Sequence, residues 1–158
     1  GFCVHGLAHD PKDPNTIYRQ DHTGVYVTRD AGDSWEKAMD GLPSWFGFPI
    51  AVDPHTGSLF VFPMESDEYR VPVEGKFRIY RSRDGARSWE GLGEGLPQGI
   101  HYGCVLRGAM AVDGMKPCGV YAGSTAGQVF ASANGGDSWR ALPGTLPRIL
   151  HVAAYAGK

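Results

Sequence analysis

The sequence predicts an all-β chain: a partial β-propeller of about three four-stranded antiparallel blades plus a final strand. Three observations predict it. First, nearly the same eight residues recur at turns: Thr28-Arg29-Asp30-Ala31-Gly32-Asp33-Ser34-Trp35, Ser82-Arg83-Asp84-Gly85-Ala86-Arg87-Ser88-Trp89 and Ser132-Ala133-Asn134-Gly135-Gly136-Asp137-Ser138-Trp139. Their spacing of about fifty residues is that of propeller blades. Second, each copy has a similar lead (Leu7-Ala8-His9-Asp10-Pro11, Ile50-Ala51-Val52-Asp53-Pro54, Met110-Ala111-Val112-Asp113-Gly114) and a Leu-Pro stop at Pro43, Pro97 or Pro147. Third, the intervening runs are short, rich in Val, Ile, Phe and Tyr, and bounded by Gly, Pro and Asp. No window shows sustained helical periodicity with caps.

Residues 1–158 form a single propeller segment: blade one over about 1–43, blade two over about 44–97, blade three over about 98–147, and a terminal strand over about 148–158. Each blade is expected as a meander, inner strand first. Predicted strands are Cys3–Ala8, Thr16–Gln20, Val25–Arg29 and Ser34–Ala38 in blade one. In blade two they are Phe48–Val52, Leu59–Pro63, Phe77–Arg83 and Ser88–Leu92, and in blade three Val105–Val112, Gly119–Gly123, Gln128–Ala133 and Ser138–Ala141. The last run, Ile149–Tyr155, reads as the inner strand of a fourth blade or as a strand that closes the first.

Each part of the repeat has a physical role. An aspartate (Asp30, Asp84) can accept a bond from backbone two residues on and close the turn. Glycine (Gly32, Gly136) permits positive φ where a side chain would clash. The hydroxyls of Thr28, Ser34, Ser82, Ser88, Ser132 and Ser138 can bond turn backbone. The indoles of Trp35, Trp89 and Trp139 bury a large ring beside the turn and pin it to the sheet. The copies differ. Ala86 stands where glycine is expected, so either the turn shifts by one residue or Ala86 is left-handed with strain of roughly 1–2 kcal/mol. Asn134 replaces the aspartate and can make the turn bond without charge.

These motifs resemble the Asp-box, or bacterial neuraminidase repeat, of sialidases, sortilin-type domains and many bacterial sialidase-like or glycosyl-hydrolase-like propellers. With leads and stops included, the resemblance covers almost the whole chain. It implies a β-propeller in which the boxes are structural turns away from the catalytic face. It implies a binding module, associated with a glycan or small ligand, as the main functional reading. The alternatives are part of an exo-α-sialidase or related glycoside hydrolase, or a sortilin-like protein-binding propeller. If the chain is enzymatic, the resemblance implies a glycoside hydrolase.

Composition excludes other classes. Hydrophobic residues make up 42% and charged residues 20%, an ordinary globular balance. The formal net charge of −2 gives no electrostatic case for nucleic acid. No apolar run approaches the roughly 18–20 residues that span a bilayer. Cys3, Cys104 and Cys118 have no metal spacing and leave one unpaired, as expected of buried small side chains in a reducing, cytoplasmic compartment. No secretion signal is visible, and the chain opens mid-strand at Gly1-Phe2-Cys3. Three blades leave raw sheet edges, whereas closed propellers have about 4–8 blades. The remaining blades are therefore expected from the same parent chain, of which this is a C-terminal portion, or from another copy.

The meander sorts loops by face. The boxes lie on one side, and the loops between second and third strands and between blades lie on the other, framing the channel mouth where a ligand is expected. Blade two carries the long loop there, Met64–Gly75. Its Glu65, Glu68, Tyr69 and Arg70 are the catalytic candidates, set against the plainer reading of a solvated loop whose ion pairs contribute little. His5, His22, His101, Tyr102 and Arg107 are the ligand-binding candidates. No metal or other cofactor is expected: His5 and His9 share a strand face but lie about 13 Å apart by rise. Trp45, Phe46, Phe48 and Pro49 read first as packing between blades. A sialidase mechanism would need an arginine cluster and a Tyr–Glu pair. The family's Arg-Ile-Pro string has only a partial counterpart, Phe77-Arg78-Ile79-Tyr80, which reads as a strand, so no catalytic role passes to Arg78. Candidate partners are a glycan, a small polar ligand or a protein at the mouth.

Overall fold

A computed structural model describes residues 3–155; the predicted strand positions at 156–158 and the opening pair 1–2 lie outside the described residues. Twelve strands run β1 Val4–His9, β2 Ile17–Asp21, β3 Gly24–Thr28, β4 Glu36–Lys37, β5 Phe46–Val52, β6 Leu59–Met64, β7 Ile79–Ser82, β8 Glu90–Leu92, β9 Met110–Val112, β10 Val120–Gly123, β11 Val129–Ser132 and β12 Arg140–Ala141. They form three separate four-stranded antiparallel sheets, β1–β4, β5–β8 and β9–β12, each in chain order. The long loop holds a single 3₁₀ turn, Val73–Gly75. The outer strands β4 and β12 are only two residues long and exposed, which blunts those edges.

The middle sheet shows why the sequence folds this way. Strand β6 is an unbroken apolar run, buried along its whole length. Because successive side chains point to opposite faces, Leu59 and Val61 join Tyr18, Val25, Val27 and Trp89 in the seam against the first sheet. Phe60, Phe62 and Met64 join Phe130, Val120 and Trp139 in the seam against the third. A strand covered on both faces must be apolar throughout. Arg81, 4% exposed, pairs with Glu90 of its own sheet at 2.8 Å and crosses the second seam to reach Asp137 at 2.7 Å.

The repeat turns share one pattern of hydrogen bonds. In the first, Thr28 Oγ1 donates to Asp30 Oδ1 at 2.6 Å, Gly32 N–H donates to Thr28 Oγ1, and Ser34 donates to Asp30 through both its amide and its hydroxyl. Ser82, Asp84, Ala86 and Ser88 repeat this pattern. The aspartate therefore closes the turn through the residue four places on, not two. In the third copy Asn134 Oδ1 accepts from Ser138 N–H, while its amide donates to Ser138 Oγ. Ala86 has φ of 66°, and its N–H makes the bond that Gly32 and Gly136 make. The turn has not shifted, so the left-handed alternative is the one observed. Ala31, with φ of 59°, shares that geometry.

Two expectations change. Trp89 and Trp139 are buried, but Trp35 is only half-buried. Both residues tie back to the preceding blade: Trp89 Nε1–H donates to Ala38 O at 3.0 Å, and the backbone N–H groups of Trp89 and Trp139 donate to Asp40 O and Glu94 O, while the Trp139 indole donates to Gly136 O within its own turn. No sheet precedes Trp35 among the described residues, and the Arg19 guanidinium stacks on its ring instead. The run Ile149–Tyr155 is not a strand. It makes one parallel bridge, His151 to Gly108, and pairs with none of β1–β4.

Candidate functional site

The loops opposite the boxes gather around two rings of β5, Phe46 and Phe48, both buried. The inner strands β1 and β5 each break register here, between Val4 and Gly6 and between Gly47 and Ile50. His5 is the unpaired residue of the first irregularity. Bulges re-aim side chains, and this one turns His5 toward the β2–β3 turn. Its Nδ1–H donates to Gly47 O at 2.6 Å. Its ring lies 4.4 Å from Phe48 and 4.5 Å from His22. Burial lowers its pKa, with the His22 and Arg107 charges acting the same way against the Gly47 bond, so the neutral imidazole is favoured.

His22 sits at the tip of the β2–β3 turn, which Asp21 ties by accepting from the amide and hydroxyl of Thr23. Cys3 Sγ lies 3.5 Å from His5 Nε2 and 3.5 Å from His22 Nε2. Cys3 is exposed, whereas Cys104 and Cys118 are buried. The expectation of a buried small side chain therefore fails for Cys3, because β1 flanks the mouth. Burial pushes the Cys104 thiol up from its ordinary value and raises Cys118 to about 11.

Two arginines cover the same aromatic floor. The Arg70 guanidinium stands 5.2 Å from the Phe48 centroid and Arg107 stands 5.1 Å from it. Arg70 is held by donating Nε–H to Asp67 O. Arg107 has φ of 40°, an uncommon left-handed value for a side-chain-bearing residue. Arg148 precedes Ile149, whose N–H donates to Ser124 O of the β10–β11 loop, so a third arginine lies on this side.

The other sequence candidates make contacts of their own. Glu65 Oε1 accepts the Glu74 amide at 2.8 Å, closing the long loop as a small flap. Ser66 Oγ accepts the Tyr69 amide. No hydrogen bond joins Tyr69 to Glu68 among the described residues. His101 packs edge-on against Phe77, and burial lowers its pKa. Its Nε2 is buried without a hydrogen-bond partner. Tyr102 is 73% exposed and Tyr69 65%.

The aromatic cluster splits. Phe46, Phe48 and Pro49 are packing residues, but Trp45 is 57% exposed. Buried Gln20 fixes the backbone there by donating to Trp45 O, Asp21 O and Gly24 O. Trp45, Tyr69 and Tyr102 thus lie exposed on loops of one face.

No family model and no curated protein matches this chain. Solved structures do. The GH74 enzyme of Niastella koreensis aligns with a TM-score of 0.62 at 20% identity, over 92% of this chain and 18% of that one. The GH74 xyloglucanase of Xanthomonas campestris gives 0.65 at 18%, over 88% and 21%. YCF48 from Cyanidioschyzon merolae gives 0.60 at 19%, over 89% and 37%. At these identities the likeness establishes the fold: a propeller-like arrangement shared with glycoside hydrolases and with YCF48. The chain spans about a fifth of the two hydrolases and under two-fifths of YCF48.

Proposed function

We propose that the chain is part of a polysaccharide-acting propeller protein of the glycoside hydrolase kind, and that these blades supply sugar-contacting surface rather than the acid–base pair. The observation that carries this is the set of exposed rings Trp45, Tyr69 and Tyr102 on the loops opposite the boxes. Exposed aromatics on one face commonly mark a binding site, and flat rings stack on the apolar faces of sugars. Arg70 and Arg107 add planar donors for hydroxyl or carboxylate oxygens. The fold likeness to GH74 enzymes, one of them a xyloglucanase, makes β-glucans the substrate class to try first. A sialidase-type centre has less support, because Tyr69 and Glu68 form no bonded pair.

Affinity electrophoresis in gels cast with xyloglucan or mixed-linkage β-glucan tests the reading. Retardation of the protein, reduced in Trp45→Ala and Tyr102→Ala, is the expected result, with hydrolysis of the same polymer by the intact parent protein. Migration unaffected by every glucan, without hydrolysis, would contradict it. A second reading, a protein-binding propeller, is favoured by the basic rim of Arg70, Arg107 and Arg148, which suits a peptide carboxylate. Peptide binding that is lost in Arg107→Ala, without glucan retardation, would select it.

A further inference from the structure

We propose that Cys3, His5 and His22 form a zinc site with three protein ligands and one position open to water or to an anionic oxygen. The inference is independent of the glycan reading. The ligand atoms of the three residues all lie within 4.8 Å of one another. With Zn–S of about 2.3 Å and Zn–N of about 2.0–2.1 Å, a tetrahedron separates sulfur from nitrogen by about 3.5 Å. Cys3 Sγ stands at 3.5 Å from both imidazole Nε2 atoms. Two of the three ligand-to-ligand edges thus already have the length a zinc tetrahedron requires.

The surroundings fit a metal site as well as the ligands do. Ligating histidines generally donate their other ring N–H to a fixed acceptor, which sets the tautomer. His5 does so: its Nδ1–H donates to Gly47 O, leaving the Nε2 lone pair toward Cys3. The two imidazoles meet edge to face at 77°, so they approach one point from different directions. Phe46 and Phe48 wall the site on the protein side. The register break between Val4 and Gly6 falls at His5, and Val4 pairs with Asp21, so this end of β1 lies beside the β2–β3 turn that carries His22. Zinc suits the donor set better than a redox ion does. Thiolate and imidazole are its usual ligands, and an exposed thiolate beside copper(II) would be oxidised. Binding deprotonates Cys3 and releases that proton to solvent. The ion would staple the start of β1 to the β2–β3 turn.

Cobalt(II) and zinc(II) titrations of the protein, kept reduced, test the site. The expected result is one equivalent of cobalt with intense tetrahedral d–d bands and a thiolate-to-cobalt charge-transfer band, both erased by zinc. Cys3→Ser should abolish the charge-transfer band. Cys3→Ser and His22→Gln should each weaken zinc binding by more than about 100-fold, beyond the loss typical of outer-shell changes. Cys104→Ser and His9→Gln, outside the cluster, should leave both readouts unchanged. Far-UV circular dichroism checks that the variants fold; Cys3 is exposed, so its replacement spares the core. An octahedral cobalt spectrum without a thiolate band, or equal zinc affinity in the folded Cys3→Ser and His22→Gln variants, would overturn the proposal.

Discussion

Replacing Trp89 with alanine should separate the blade-to-blade seam from the turn itself. The Trp89 ring is 7% exposed and lies between the first and second sheets, with Nε1–H donated to Ala38 O. Emptying a large buried ring costs about 3–5 kcal/mol. Losing the donor to Ala38 adds about 1 kcal/mol, and water entry at the seam offsets part of it, so about 4–5 kcal/mol is expected. Trp35 occupies the equivalent place in its own repeat but is half-buried under Arg19. Its truncation should cost about 1–2 kcal/mol from the smaller area and the lost cation–π contact. Urea unfolding followed by far-UV circular dichroism reads both. With a urea m-value of about 1–3 kcal/mol per M, the Trp89→Ala midpoint should fall by more than about 1 M, and that of Trp35→Ala by less than half as much. Equal losses in the two variants would refute the claim that the Trp89 indole is anchored by the blade before it.

Gly95→Ala should cost about 2–4 kcal/mol, because φ is +79° and a Cβ would stand 1.9 Å from Trp139 O. Gly114→Ala, which meets nothing within 4 Å, is the control and should cost less than about 0.5 kcal/mol in the same melt. In Asp30 and Asp84 the Ser34 and Ser88 hydroxyls respectively lead the bonds that hold the carboxyl at about 2. A lowered carboxyl stabilises the fold above its ordinary pKa of about 3.9 and loses that contribution as pH falls toward 2. Thermal melts of Asp30→Asn/Asp84→Asn should therefore lose less Tm than the parent between about pH 4 and pH 2. Ala31→Gly should be neutral or mildly stabilising, since Ala31 is exposed and left-handed. Ala86→Gly should be neutral or mildly stabilising, because relief of roughly 1–2 kcal/mol of left-handed strain offsets the loss of about 0.8 kcal/mol from its buried methyl.

What was legible in the sequence was local. The Ser/Thr-x-Asp-x-Gly-x-Ser-Trp turn makes its bonds within eight residues, so its letters suffice to identify it. The apolar run Leu59–Met64 likewise announces a strand covered on both faces. What depends on neighbours was less legible. Trp35 closes nearly the same motif as Trp89, but no preceding sheet covers it among the described residues. His5 looked paired with His9 by strict alternation, and the bulge at His5 breaks that alternation. The signal for the bulge was faint: Gly6 leaves room beside Ile50 for the two inner strands to approach. Cys3 and His22 are nineteen positions apart, and only the β1–β2–β3 meander joins them. Arg81 gave no hint of burial, because its partner Asp137 belongs to the next blade.

The most direct test of the binding face uses the chain's four tryptophans. Three of their indole N–H groups donate to backbone carbonyls at the repeat turns and seams, while Trp45 stands exposed on the opposite loops. In a ¹H–¹⁵N spectrum titrated with xyloglucan oligosaccharides, the Trp45 indole signal should shift with saturation while the Trp35, Trp89 and Trp139 signals hold still. Movement of those three without Trp45, or no movement at all, would contradict the assignment of that face to sugar.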